Sequence, residues 1–188
     1  NYMLTNSALS LLMAPFYGFV AFSPVAYIKI YGLSAQHFSI LFGINAIMSM
    51  SGNFLATRLT KTRSDTSIIG FSIWGCLIGS TGILLFGDMH FAAFSAAMCI
   101  FTFCSGLCRP LSQTLILEQV STDIGSASSF LVFYQFIAGS AFMALVSMQW
   151  DNQIKVFGLA SIIVSALVLA SWKFLCGNVR LLHQNAQT

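Results

Sequence analysis

Arg109 is the residue whose setting most invites a chemical role, because it stands inside the apolar run Phe101-Thr102-Phe103-Cys104-Ser105-Gly106-Leu107-Cys108-Arg109-Pro110. A guanidinium at the centre of a bilayer costs at least about 2.5–3.5 kcal/mol, so a cation kept there points to a pathway, a gate or a buried partner. The plainer reading is positional. Leu117 lies about 12 Å further along a helix at ~1.5 Å per residue, which lets the side chain snorkel to the interface or pair with Glu118 or Asp123. Tyr17 and Gln135 each carry a hydrogen-bonding tip into an apolar run, as a mostly apolar cavity needs for orienting a ligand. The alternative for both, and for Asn45, is a bond to a neighbouring helix worth about 0.6 kcal/mol. Ser10, Ala14, Tyr17, Ala21 and Pro24 recur at helical spacing, and Thr102, Ser105, Arg109 and Ser112 do the same. Pro110 removes a backbone hydrogen bond beside Arg109 and is expected to bend that second face.

Other chemistry is poorly supplied. Cys104 and Cys108 lie one helical turn apart as soft ligands, yet no histidine or carboxylate completes a set at ligand spacing. The remaining cysteines, Cys76, Cys99 and Cys176, also sit in or at the end of apolar runs without a C-x-x-C pair, and read as buried thiols. His37, His90 and His183 fall near three different segment ends, so neither a metal centre nor a serine–histidine pair can be assembled. An enzyme, a cofactor and a metal are therefore not expected. The basic residues gather mostly in one short loop, which speaks for membrane topology and against nucleic-acid binding.

The elements that must hold these groups are set by composition. Hydrophobic residues make up 57% of the 188 and charged residues 7%, against about a quarter charged in soluble proteins. Near-uncharged stretches approaching the ~20 residues that cross ~30 Å of hydrocarbon recur at about 6–28, 38–57, 66–86, 91–117, 126–149 and 155–175, with bounds good to ~2–4 residues. The alternation of barrel strands is absent, so the expectation is an all-α membrane protein, a single six-helix bundle over residues 1–188. Ser34 is placed to cap the second helix and Ser64 or Thr66 the third. Gly75, Gly79 and Gly82 form a small-residue ridge for close helix approach. Arg58, Lys61 and Arg63 share one loop, which the positive-inside rule assigns to the cytoplasm together with both termini; Asp88 and His90 then lie outside, with Lys29 and Lys155 as the minority of outside cations. No charged stretch or small-residue cleavage site precedes the first apolar run, so no signal peptide is expected, and a start at Asn1 suggests a piece of a longer chain.

The first and fourth helices are polar, the second and fifth intermediate (Asn45, Ser49, Asn53; Ser128, Tyr134, Gln135, Gly139), the third and sixth mostly aliphatic. That order suggests a three-plus-three repeat. These residues resemble the C-terminal half of a major facilitator superfamily transporter. The stretch Gly52-Asn53-Phe54-Leu55-Ala56-Thr57-Arg58-Leu59-Thr60-Lys61 resembles the superfamily's Gly-x-x-Leu-Ala-Asp-Arg-x-Gly-Arg loop, with Thr57 in place of the Asp and Thr60 in place of the second Gly. Within the superfamily, Gly106-x-x-x-Pro110, Gly125-Ser126-Ala127-Ser128-Ser129 and Gln135-x-x-x-Gly139 resemble the Bcr/CflA type of drug-resistance exporters.

The resemblance implies two inverted three-helix repeats, and a proton-coupled antiporter of small amphipathic compounds in the bacterial inner membrane. Its N-terminal six-helix half would be supplied by the rest of the parent chain, with protons and the lipid bilayer as further partners. Tyr17, Pro24, Ser105, Arg109, Ser112 and Gln135 are then the cavity candidates, and Gly52, Arg58, Lys61 and Arg63 the cytoplasmic loop motif. The competing reading is a self-contained six-helix protein, either a homodimeric transporter or a membrane scaffold. Orientation is open to direct measurement: a cysteine placed at Thr62 should react with impermeant thiol reagents only from the cytoplasm and one at Asp88 only from outside, and the reverse pattern would invert the assignment.

Overall fold

The computed structural model describes residues 2–118 and 124–185, with side chains described for 6–118 and 124–174. The helices are α1 (Tyr2–Leu11), α2 (Ala14–Pro24), α3 (Ala35–Leu59), α4 (Asp65–Phe86), α5 (Phe91–Leu117), α6 (Ile124–Ser147) and α7 (Gln153–Asn185), with a π-helical turn over Val25–Ile30 following α2. Together they make six stretches long and apolar enough to cross a membrane. The chain is a multi-pass membrane protein.

The first span departs from the single helix expected over 6–28. Pro15 has no N–H to offer Leu11 four residues back, and its ring crowds that carbonyl. The chain breaks there, with the Met13 N–H turning back to the Ser10 carbonyl at 3.0 Å. Pro24 creates the same deficit at Val20, and the hydroxyl of Ser23 donates to that carbonyl at 3.2 Å. Beyond Pro24 the helix widens, so that the Tyr31 N–H reaches Ala26 at 3.0 Å, the i→i+5 pattern of a π-turn. Gly32, at φ 67°, closes the segment in a left-handed conformation that costs glycine nothing. At the other end of the chain the apolar span ends at Phe174, close to the expected 175, while the helix of α7 continues to Asn185.

The packing repeats itself. α3 lies along α5 and α6 along α2; α4 packs on α5, and α7 on α1 and α2; α4 and α7 also pack on each other. Exchanging the first three spans for the last three maps this set of contacts onto itself, as two inverted three-helix repeats require. Polarity along the sequence does not forecast enclosure. Half of an 18-residue apolar stretch of α4 is buried against 11% of that of α3, because α4 lies between α5 and α7 whereas α3 rests on α5.

Glycine sets the closest crossings. A Cβ on Gly52 would come 2.9 Å from the Leu107 backbone nitrogen, one on Gly79 2.9 Å from that of Phe101, and one on Gly158 2.9 Å from Leu84 Cα. The ridge expected on α4 is used in this way, Gly75 facing Cys104 and Gly82 facing Ala97. The α3–α5 and α2–α6 crossings each carry glycine on both helices: Gly52 with Gly106, and Gly139 with Gly18.

The end of the bundle away from the basic loop is tied across its elements. Tyr31 donates its hydroxyl to the Gly87 carbonyl, and Lys155 Nζ lies 3.2 Å from Asp88 Oδ2. A hydrogen bond from Asn152 and the nearby Lys155 hold the Asp88 carboxyl below its ordinary value, while burial pushes the Tyr31 phenol well up. Ser34 caps α3 by accepting from the His37 N–H at 3.3 Å. Ser64 occupies the capping position of α4, but its hydroxyl pairs with that of Ser67 at 2.8 Å.

Two outcomes follow. Gly52→Val should destabilise the protein by about 1–3 kcal/mol through overpacking, whereas Gly43→Ala, whose Cβ meets nothing within 4 Å, should be neutral or gain up to ~1 kcal/mol of helix propensity; unfolding in detergent reads both. Because the folded Asp88 carboxyl titrates below its unfolded value of 3.8, its contribution is complete above that value and fades as pH falls through the lowered one. Asp88→Asn should therefore unfold earlier than wild type at neutral pH, and the two should converge in acid. A gap independent of pH would show the carboxylate to be idle.

Candidate functional site

The helices that carry the cavity candidates place them differently. Tyr17 is half-buried on α2, its ring 5.5 Å from that of Phe136 on α6 and seated against Gly139. Gln135 is buried on the same stripe of α6, Ala127, Leu131, Gln135, Gly139, Phe142 and Val146, whose four-residue spacing keeps it turned to α2. The fold thus brings Tyr17 and Gln135 to one interface. Pro24 is exposed at the end of α2.

On α5 the three candidates part. Ser105 and Ser112 are buried and donate to carbonyls of their own helix, Thr102 at 3.0 Å and Arg109 at 2.9 Å. Arg109 is half-buried and forms no ion pair among the described residues. Of its two foreseen partners, Glu118 caps α5 and is exposed, and Asp123 lies outside the described residues.

The loop motif also divides. Gly52 is inside α3 at the α5 crossing, two turns before the basic loop. Arg58 is in the last turn of α3, its guanidinium 5.2 Å from the Phe54 ring centroid, and Lys61 and Arg63 are exposed between α3 and α4. The two departures from the motif have local work: Thr57 donates to the Phe54 carbonyl at 2.8 Å, and Thr60 donates to that of Thr57 at 3.1 Å, one of the carbonyls that a helix end leaves open.

A polar cluster missing from the list of candidates lies among α3, α5 and the π-turn. Tyr27 is fully buried there, with Ser95 and Asn45 close to its hydroxyl. Thr102 donates to Asn45 Oδ1 at 3.3 Å. The face read from Tyr17 to Pro24 stopped short of Tyr27, which lies on the wide turn that follows Pro24. Pro24 itself was the available signal. Among the described residues no three metal-ligating side chains come together. The cluster offers neutral donors and acceptors in an aromatic setting, suited to binding more than to bond-making.

Comparison with known proteins agrees with this architecture. A relative in Bacillus subtilis (strain 168), described as the uncharacterized MFS-type transporter YdgK, is 28% identical over 160 residues, 84% of this chain and 39% of the relative. The chain therefore spans about two-fifths of that relative's length. Residues 3–144 match the family described as the Major Facilitator Superfamily, and with six spans in two inverted repeats, the chain belongs to that superfamily.

Proposed function

We propose that this chain is the C-terminal half of a proton-coupled exporter of small amphipathic compounds, of the Bcr/CflA type. The observation that carries the reading is the uneven enclosure of its spans. An 18-residue apolar stretch of α5 is 67% buried, while those of α3 and α6 are only 11% and 28% buried. α3 and α6 flank the central helices and bear exposed apolar side chains, Ile47, Met50 and Phe54 on one and Phe133, Phe136 and Ile137 on the other. A surface of this kind is what a second six-helix half covers, and the length of the relative leaves room for one.

Between the halves, half-buried Tyr17 supplies an aromatic face with a hydroxyl tip, and Arg109 a cation at the edge of the same central pair of helices. Amphipathic substrates use both kinds of contact, apolar area for affinity and a few polar groups for orientation. The proton site belongs to the other half. The loop with Arg58, Lys61 and Arg63 faces the cytoplasm, both termini lie on that side, and the membrane is the bacterial inner membrane.

The test uses the intact parent transporter. Tyr17→Phe should keep the aromatic surface and lose one hydrogen bond, weakening transport of substrates that use it by about 0.5–1.5 kcal/mol. Arg109→Ala should impair transport broadly, and Arg109→Lys should rescue it only if the side chain works as a snorkelling charge and not as a planar two-point partner. If Tyr17→Phe and Arg109→Ala both transport like wild type at matched expression, the cavity assignment fails.

A further inference from the structure

Lys173 lies in the last turn of the apolar span of α7, one residue before Phe174, and it is exposed. A lysine so placed is expected to run its stem toward the nearer aqueous side and keep its ammonium in water. The ammonium instead lies 5.8 Å from the ring centroid of Trp74 on α4. The packing of the two helices fixes how deep that is. A Cβ on Gly70 would come 3.4 Å from the indole nitrogen of Trp172, so this turn of α7 is level with Gly70. Gly70 is roughly 7.5 Å from Asp65, the first residue of α4, at ~1.5 Å per residue, and Trp74 stands another ~6 Å from that end. Lys173 therefore reaches away from the basic-loop end of the bundle and into the membrane.

A cation at that depth calls for an anion, and the described part of the chain supplies none: its one ion pair is Lys155 with Asp88, at the opposite end. Trp74 attracts the ammonium through its ring, inside the ~6 Å at which such contacts act, but it occupies one side of a group with three N–H donors. The surroundings are open. Phe71, Trp74 and Ile78 run along α4 at helical spacing, 69%, 48% and 62% exposed, beside the seam that α4 makes with α7. On the export reading the second half covers α3 and α6, which leaves this seam to the bilayer.

We propose that the α4–α7 seam is a binding site for an anionic glycerophospholipid of the leaflet on the side of the basic loop. Its phosphate accepts from the Lys173 ammonium beside Trp74, and an acyl chain lies along Phe71, Trp74 and Ile78. Charge selects the occupant, because a hydrocarbon chain alone leaves the ammonium unpaired and a zwitterionic headgroup brings a second cation against it. Lys61 and Arg63, exposed in the loop that leads into α4, add positive potential at the same end, which gathers anionic headgroups.

The experiment uses the intact parent transporter in detergent and reads its unfolding midpoint as phosphatidylglycerol or phosphatidylcholine is added. Phosphatidylglycerol should raise the midpoint by about 2–4 °C more than phosphatidylcholine does. Lys173→Gln should abolish that difference and Trp74→Leu should reduce it. Lys29→Gln, which deletes the same charge from an exposed position at the opposite end, should leave it intact. Lys173→Met, which keeps the stem, takes the place of Lys173→Gln if the latter does not fold. Native mass spectrometry should find a phosphatidylglycerol retained by wild type and lost from the Lys173 variant. Equal responses to the two lipids would overturn the proposal, as would an undiminished difference in Lys173→Gln or a carboxylate of the other half within about 4 Å of Lys173. A difference lost equally in Lys29→Gln would reveal general charge attraction and overturn it as well. The readout is lipid binding, so its failure leaves the export reading standing, and failure of the export reading leaves this site standing.

Discussion

Every backbone N–H and C=O that enters hydrocarbon must find a partner inside the protein, and most of the distinctive features of this bundle are responses to that requirement. Pro15 and Pro24 each leave a carbonyl without its helical donor. The chain answers the first by breaking the helix and the second by lending the Ser23 hydroxyl to Val20. The wide turn that follows is the continuation of the same repair, and it carries Tyr27 into the core. A local shortage of one donor at Pro24 thereby decides which side chain stands beside Asn45.

The same economy governs the buried hydroxyls. Ser72, Ser80 and Ser161 lie inside α4 and α7 and each donates to the carbonyl four residues back at 2.8 Å. These helices read as aliphatic along the sequence, yet they hold some of the most deeply buried polar residues. A serine that bonds its own helix adds small volume without a net polar demand on its neighbours. Such residues fit the close crossings that glycine opens at Gly79 and Gly158. Helix association in lipid has little hydrophobic drive and depends on this kind of close fit.

Much of the fold was legible in the chain because the bilayer enforces it. Six long apolar runs with short connections leave little choice but six spans, and the glycine ridge of α4 and the Ser34 cap follow from spacing alone. The irregular first span was not legible in detail, since a proline announces that a hydrogen bond is lost without saying whether the helix breaks, bends or widens. The site was read less completely. Helical periodicity put Ser105, Arg109 and Ser112 on one face, but a face of α5 is shared among α3, α4 and α1, and only packing decides that the serines turn inward while the arginine stays half-open. Gly52 shows the opposite case, where a residue flagged for a loop motif acts as a contact between helices.

The crossed packing of the two repeats has a consequence for how the molecule comes into being. α3 has its main partner in α5, and α6 has its own in α2, so neither three-helix repeat contains the contacts that bury it. During synthesis the earliest segments enter the membrane with their closest neighbours still unmade, and α3 waits in lipid until two further spans have been threaded. Each segment must therefore be apolar enough to remain inserted alone, which explains why even α3, the least enclosed, keeps a mean hydropathy of 1.4. The inverted repeat is an interlock, and the half can close only after its last helices arrive.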